Sequence, residues 1–203
     1  MKKYYRFFGG FLKAQEKWLN QMAEKGYRLD RTGKLSYEFT KCKPGEYQYC
    51  IDFVAGQSDQ KVKDYKAFLE ELGYQVFYKN INLNLSVGKV RWRPYGKGTG
   101  QIAVNPGNYN KELLIVEKKN DGRCFELHTT NEDRVLYYKA LRNARLTVAV
   151  LFLIFSIISF IQAQSFSKGV IGFGLLAILL LIPAFLYQTQ MLYFSKKSSI
   201  EEE

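Results

Sequence analysis

The chain is poor in the residues that carry most enzyme chemistry. It has one histidine, His128, and three cysteines, Cys42, Cys50 and Cys124, in 203 residues. No two cysteines form a CxxC motif, and the odd count argues against a disulfide framework. A reducing compartment is the simpler home for them. His128 has no cysteine near it in sequence at a zinc-binding spacing, so a metal would need ligands from distant segments. No Ser, His and Asp set marks nucleophilic catalysis. Residues 96–100, Gly-Lys-Gly-Thr-Gly, share only the composition of a phosphate loop. The spacing is wrong, and no clear strand and helix flank them. Asp52, Glu70 and Glu71 are scattered and form no recognisable acid/base pair. These absences argue against an enzyme, and no cofactor or metal-ligand set is read. A secretory leader is not expected either. Met1-Lys2-Lys3 is a basic start, but residues 4–8 contain Arg6 and are too short for its apolar region.

What the chain does have is two long apolar runs near its end. Residues 146–161 are interrupted only by Thr147, Ser156 and Ser159, and residues 169–187 carry no charge. A helix needs about 20 apolar residues to cross a bilayer, with a range of roughly 17 to 25. The second run meets this. The first does so once the long side chains beside it reach the interface. Residues 175–182 are apolar on every face, and little other protein exists to cover them. A two-helix membrane hairpin at 146–187 is therefore expected, with a seven-residue polar link at 162–168.

The flanks orient that hairpin. Lys139, Arg142 and Arg145 precede the first run and Lys196 and Lys197 follow the second, whereas the link holds only Lys168. By the positive-inside rule both ends face the cytoplasm. The net charge of +11 lies wholly before residue 146, because Lys168, Lys196 and Lys197 are offset by Glu201, Glu202 and Glu203. The expected organisation is a cytoplasmic α+β domain at 1–145, the hairpin at 146–187 and a short cytoplasmic tail at 188–203. Within the domain we expect a core at 1–80, an irregular extension at 81–130 and a connecting helix at 131–145. No Pro or Gly separates that helix from the first span.

The core shows two alternating periods. Residues 11–25 put Phe11, Leu12, Trp18, Leu19 and Met22 near one helical face, with Glu16, Lys17, Asn20, Glu24 and Lys25 opposite. Residues 60–72 place Val62, Tyr65, Phe68, Leu69 and Leu72 on a second apolar face. Gly26 and Gly73 follow these helices and suit left-handed C-caps. Residues 4–8, 27–29, 35–41, 47–53 and 74–78 read as strands. Lys43-Pro44-Gly45-Glu46 has Pro second and Gly third, which fits a type II turn, so 35–41 and 47–53 are expected to form a hairpin. The order strand, helix, strand, strand, helix, strand predicts a ferredoxin-like β-α-β-β-α-β fold with both helices on one face. Residues 22–27, Met-Ala-Glu-Lys-Gly-Tyr, echo residues 69–74, Leu-Glu-Glu-Leu-Gly-Tyr. Further on, 81–87 alternate as an extended segment. Residues 113–116 and 124–127 suggest a second hairpin around Asp121-Gly122. Asn131 suits a helix N-cap.

One segment interleaves cations with rings: Lys89, Arg91, Trp92, Arg93, Tyr95 and Lys97. That composition suits anionic lipid at the inner leaflet. It also suits single-stranded nucleic acid, through phosphate contacts and stacking. Proximity to a bilayer favours lipid, or a plainly solvated surface, and makes nucleic acid the less expected partner.

A family resemblance joins these pieces. Glu16-Lys17-Trp18-Leu19-Asn20, Met22-Ala23 and Lys25-Gly26-Tyr27 resemble the opening helix of the bacterial membrane-protein family catalogued as domain of unknown function 2812. Phe39, Pro44-Gly45-Glu46-Tyr47 and Ile51-Asp52-Phe53 are similar to its central hairpin. Tyr65, Phe68-Leu69 and Leu72-Gly73-Tyr74 are similar to its second helix and following strand. Phe125-Glu126-Leu127, Thr130-Asn131 and Tyr137-Tyr138-Lys139 resemble its return toward the membrane. The resemblance covers 1–80 and 123–187 and departs at 81–110. It implies a cytoplasmic domain on membrane helices, mainly in Gram-positive bacteria and often encoded beside PadR-like transcriptional regulators. The family's biochemical activity is not established, so the resemblance supplies no catalytic residues. The expectation is a non-enzymatic, membrane-anchored binding or regulatory module, acting through a protein partner or as a homo-oligomer. The alternative is a structural or assembly subunit of a larger membrane complex. Two uncharged spans offer no polar path for a transporter.

Overall fold

A computed structural model describes residues 1–54, 57–83, 85–87, 90–92, 102–103, 112–123, 125, 127 and 131–201, with backbone alone at 85–87, 90–92, 103 and 199–201. The chain forms two compact units, Met1–His128 and Thr129–Glu203.

The first unit is α+β and traces one path twice. β1 (Lys2–Tyr5), α1 (Leu12–Glu24), β2 (Tyr27–Thr32) and β3 (Ser36–Lys41) form an antiparallel sheet in the order β1-β3-β2. β4 (Tyr47–Phe53), α2 (Asp59–Glu71) and β5 (Gln75–Lys79) begin the same path again. Three short strands follow, β6 (Leu85–Val87), β7 (Val90–Trp92) and β8 (Ile102–Ala103), as a small sheet of their own. β9 (Leu113–Lys119) then closes the second main sheet in the order β4-β9-β5. In each main sheet the last strand to arrive lies in the centre and pairs antiparallel with both others. The sequence echo between 22–27 and 69–74 falls at the same place in both, where helix gives way to strand. Gly26 and Gly73 take φ of 77° and 83° there. A side chain at Gly26 would also press its Cβ to 2.9 Å from the Cys42 carbonyl oxygen, so glycine is required twice over.

This repeat corrects the ferredoxin-like expectation. Three strands separate the two helices, and the pairing is split between two sheets. The turn at 43–46 forms as read: Gly45 has φ of 70° and Glu46 N donates to Lys43 O. It joins the two repeats and not the two arms of a hairpin. β3 pairs with β1 and β2, and β4 pairs with β9. The second expected hairpin is absent among the described residues as well. The Asp121-Gly122 turn forms, but Phe125 and Leu127 lie outside any strand and pack on the core around α2. Of the expected 81–87 strand, only 85–87 is extended in a ladder, since Asn82 takes φ of 62° and breaks the run.

Each repeat buries its own helix. Against the first sheet, the Trp18 indole sits edge-on to Tyr37 at 4.9 Å and to Phe39 at 5.6 Å between centroids. Leu19, Met22 and Ala23 complete that buried stripe. Against the second sheet, Val62 and Leu69 meet Val54, Val76, Leu114 and Val116. The stripe on α2 is narrower than its periodicity suggests. Phe68 and Leu72 are 47% and 55% exposed, because only the 62–69 line faces the sheet.

The polar side of α1 is also in use. The Asn20 amide donates to Tyr49 O at 2.9 Å and accepts from Tyr49 N at 2.8 Å. Glu16, one turn earlier, accepts from Ile51 N at 3.0 Å. These two side chains replace the missing neighbour strand along the outer edge of β4, where unpaired backbone groups would otherwise be left.

The second unit is two antiparallel helices, α3 (Asn131–Ala163) and α4 (Lys168–Glu201). α3 is continuous through the connecting helix into the apolar run. At the turn, Gln164 takes φ of 48°, and Ser167 Oγ accepts from Val170 N as the helix begins again. The helices touch at the turn end through Ser156 Oγ, which donates to Val170 O, and at the other end through stacked Tyr138 and Phe194 rings. Both helices are long and apolar enough to cross a membrane, and only 6% and 17% of their most apolar stretches are buried within the protein.

Candidate functional site

The edges of β2 and β5 lie side by side without a backbone ladder. They are joined at one end by Thr32 Oγ1, which donates to Tyr78 O at 2.6 Å, and at the other by Arg28 Nη2, which donates to Gln75 Oε1 at 3.2 Å. By position after Gly26 and Gly73, Arg28 and Gln75 are counterparts in the two repeats, so this contact lies at their junction. A cleft of about 620 Å³ opens there, lined by Arg28, Tyr47, Tyr74, Gln75, Glu117 and Lys119 among others.

Its floor is an ion pair. Glu117, 2% exposed at the side chain, accepts from Arg28 Nη2 at 2.8 Å and from Nε at 2.9 Å. Its second oxygen accepts from the Tyr49 hydroxyl at 2.7 Å, and that hydroxyl accepts from Leu29 N at 2.7 Å. The Arg28 guanidinium also lies over the Tyr47 ring, 4.3 Å from its centroid. The hydrogen bond that Arg28 donates to Glu117 raises Arg28 above its ordinary value, against the opposing cost of burial. Burial, then the Glu117 charge, pushes the Tyr49 hydroxyl far up, so it stays protonated and donates. Cys42 is raised in the same way, by burial first and then by Glu46 and Glu117, which favours its protonated thiol. The arrangement has a fixed carboxylate, a fixed guanidinium and open rings, and so can bind. It presents no activated nucleophile.

A second polar cluster is closed. Lys79, 3% exposed, donates to the carbonyls of Gly33, Lys34 and Ser36 and sits 4.0 Å from the Tyr37 ring centroid. The cavity beside it holds about 10 Å³, room for one water.

The segment singled out by composition lies mostly beyond description. Lys89, Arg93, Tyr95 and Lys97 fall outside the described residues. The backbone of Arg91 and Trp92 is in β7, opposite Ser86 and Leu85 of β6 and opposite Ala103 and Ile102 of β8. His128 and Cys124 also fall outside. Among the described residues no three His, Cys, Asp or Glu side chains gather as a metal site. The cleft was not visible in the sequence, because Arg28 and Glu117 are 89 positions apart. Its one local signal was Glu117 itself, an acid directly after the apolar run 113–116.

An α+β unit of two like repeats, followed by two exposed apolar helices, defines the class. A family described as protein of unknown function (DUF2812) matches residues 11–150, and the chain belongs to that family. No curated protein and no solved structure matches it.

Proposed function

We propose that the chain is a non-enzymatic, membrane-anchored binding module. α3 and α4 cross a cell membrane, and the Arg28–Glu117 cleft receives a ligand on the cytoplasmic side. The outward-facing apolar side chains of the two helices carry the anchoring. Leu179 is 61% exposed and Phe185 68%, within runs that water solvates poorly. At 1.5 Å per residue, α3 is about 50 Å long against roughly 30 Å of hydrocarbon, so its charged first third projects from the membrane. The cleft supports the binding role. Its volume is within the ~300 to 1,000 Å³ of ligand pockets, and its floor is charge-paired in advance. Tyr47 and Tyr74 suit an aromatic or amphipathic small ligand or peptide side chain. A link to PadR-like regulation would give this module a signalling use. We assign residues 89–97 a supporting contact with anionic lipid.

A fragment and peptide library screened against the full chain in detergent, read by amide chemical shifts, tests the cleft. Shifts should cluster at Tyr47, Gln75 and Glu117 and vanish in Tyr47→Ala. Shifts elsewhere, indifferent to Tyr47→Ala, would remove the cleft as the site. Mass measurement after mild detergent extraction tests the alternative: a stable hetero-complex would favour an assembly subunit.

A further inference from the structure

Arg142 and Arg145 stand about one turn apart on α3, just before the apolar run that opens at Leu146. α4 meets both with neutral groups. Arg142 Nη1 donates to Gln188 Oε1 at 2.6 Å and lies 3.7 Å from Met191 Sδ. Its Nε and Nη2 share the Asn143 side-chain oxygen at 3.0 and 2.7 Å. The Tyr187 hydroxyl of α4 lies within electrostatic reach of the Arg145 guanidinium. Among the described residues no carboxylate pairs with either arginine. Asp133, near the start of α3, is about 14 Å away along the helix axis. Among the described residues, these two half-buried guanidinium groups therefore have only neutral neighbours. A guanidinium has five N–H donors, and the partners named here leave donors over on both.

We propose that Arg142 and Arg145 bind the phosphate of an anionic phospholipid in the headgroup layer where the helix pair leaves the membrane. The proposal rests on the membrane-anchored reading. Arg145 adjoins the first apolar residue, which sets both forks at phosphate depth. Guanidinium forks match phosphate oxygens two at a time, which a lysine does not. Val148 and Leu186, 38% and 44% exposed just below, offer apolar surface to the acyl chains. A zwitterionic lipid brings its own ammonium beside the phosphate and satisfies the arginines less well. Basic pockets between membrane helices recognise anionic headgroups in this way.

The test is native mass spectrometry of the full chain in detergent, titrated with phosphatidylglycerol and separately with phosphatidylcholine. Each arginine should contribute about fivefold, so the two together favour phosphatidylglycerol on the order of thirtyfold. The pair Arg142→Gln and Arg145→Gln should remove that thirtyfold preference, while Lys17→Gln with Lys25→Gln, two exposed lysines of the first unit, should keep it. Arg142→Lys with Arg145→Lys keeps the charge and the fold and should lose much of the preference. An unchanged preference in the glutamine pair, or its loss in the Lys17 and Lys25 variant, overturns the site. Displacement of the lipid by millimolar inorganic phosphate would also overturn it, by making this a site for the free ion. Extraction of membranes at high pH separates the two claims. A chain that stays in the membrane but shows no lipid preference sinks this site alone, whereas a chain released by the extraction sinks the anchoring.

Discussion

The junction between α1 and β4 makes a residue-specific prediction. Two amides of β4, those of Tyr49 and Ile51, point away from β9 and donate to Asn20 and Glu16 of α1. Removing the acceptor of a half-buried amide costs about 1 to 3 kcal/mol, because water replaces the lost partner only in part. Asn20→Ala should therefore speed exchange of the Tyr49 amide by about 5- to 150-fold, since exchange from a locally opened state follows the opening free energy. Glu16→Ala should do the same at Ile51. Each substitution should leave the other amide nearly as protected as before, because the two caps are separate bonds one helical turn apart. Residue-resolved hydrogen exchange on the full chain reads both amides at once. Unchanged exchange at Tyr49 in Asn20→Ala would show that α1 does not replace a strand there. Equal acceleration of both amides in both variants would show a general loosening instead of specific caps.

Four further outcomes follow from the packing and charge. Trp18→Ala removes the centre of an aromatic cluster and should cost about 3 to 5 kcal/mol in denaturant unfolding; a loss below about 1 kcal/mol would place Trp18 outside the core. Burial pulls the Lys79 amine from 10.5 down to about 8, so the unfolded chain holds more protons between those values. Stability contributed by this group should rise as pH climbs through that window, and Lys79→Met should flatten the rise in an unfolding series. Glu117→Gln leaves Tyr49 an acceptor but strands Arg28, costing about 1 to 3 kcal/mol after discounting for Arg28's exposure, with part recovered on adding Arg28→Met in a double-mutant cycle. Residues 1–128 should bind anionic vesicles over neutral ones, with salt weakening the binding, and replacing Lys89, Arg91, Arg93 and Lys97 by Gln should remove most of the difference.

Local features were legible and distant partners were not. The helical period placed α1 and α2 within a residue of their observed ends, and Pro44-Gly45 produced the turn it suggests. Both depend on interactions across a few residues. Alternation along 35–41 and 47–53 correctly marked strands, but it says which face a side chain takes and not which strand lies alongside. The true partner of β4 is β9, some sixty residues later, beyond the small sheet inserted in the second repeat. The helix-Gly-Tyr echo was the one sequence trace of that repeat. The same limit hid the cleft. A cationic aromatic cluster at 89–97 is visible because it is contiguous, whereas Arg28, Tyr49 and Glu117 meet only once two sheets have formed. Glu16 and Asn20 read as a solvated face because nothing local distinguishes a solvated polar side chain from one that caps a strand edge.

The central claim is that α3 and α4 cross the membrane with their polar turn outside and the α+β unit inside. Ser165 is exposed in that turn, and Cys42 lies in the first unit. In intact cells, Ser165→Cys should react with a membrane-impermeant thiol reagent, while Cys42 should react only after the cells are opened. Labelling of Cys42 in intact cells, or a Ser165→Cys that stays unlabelled until lysis, would contradict the account.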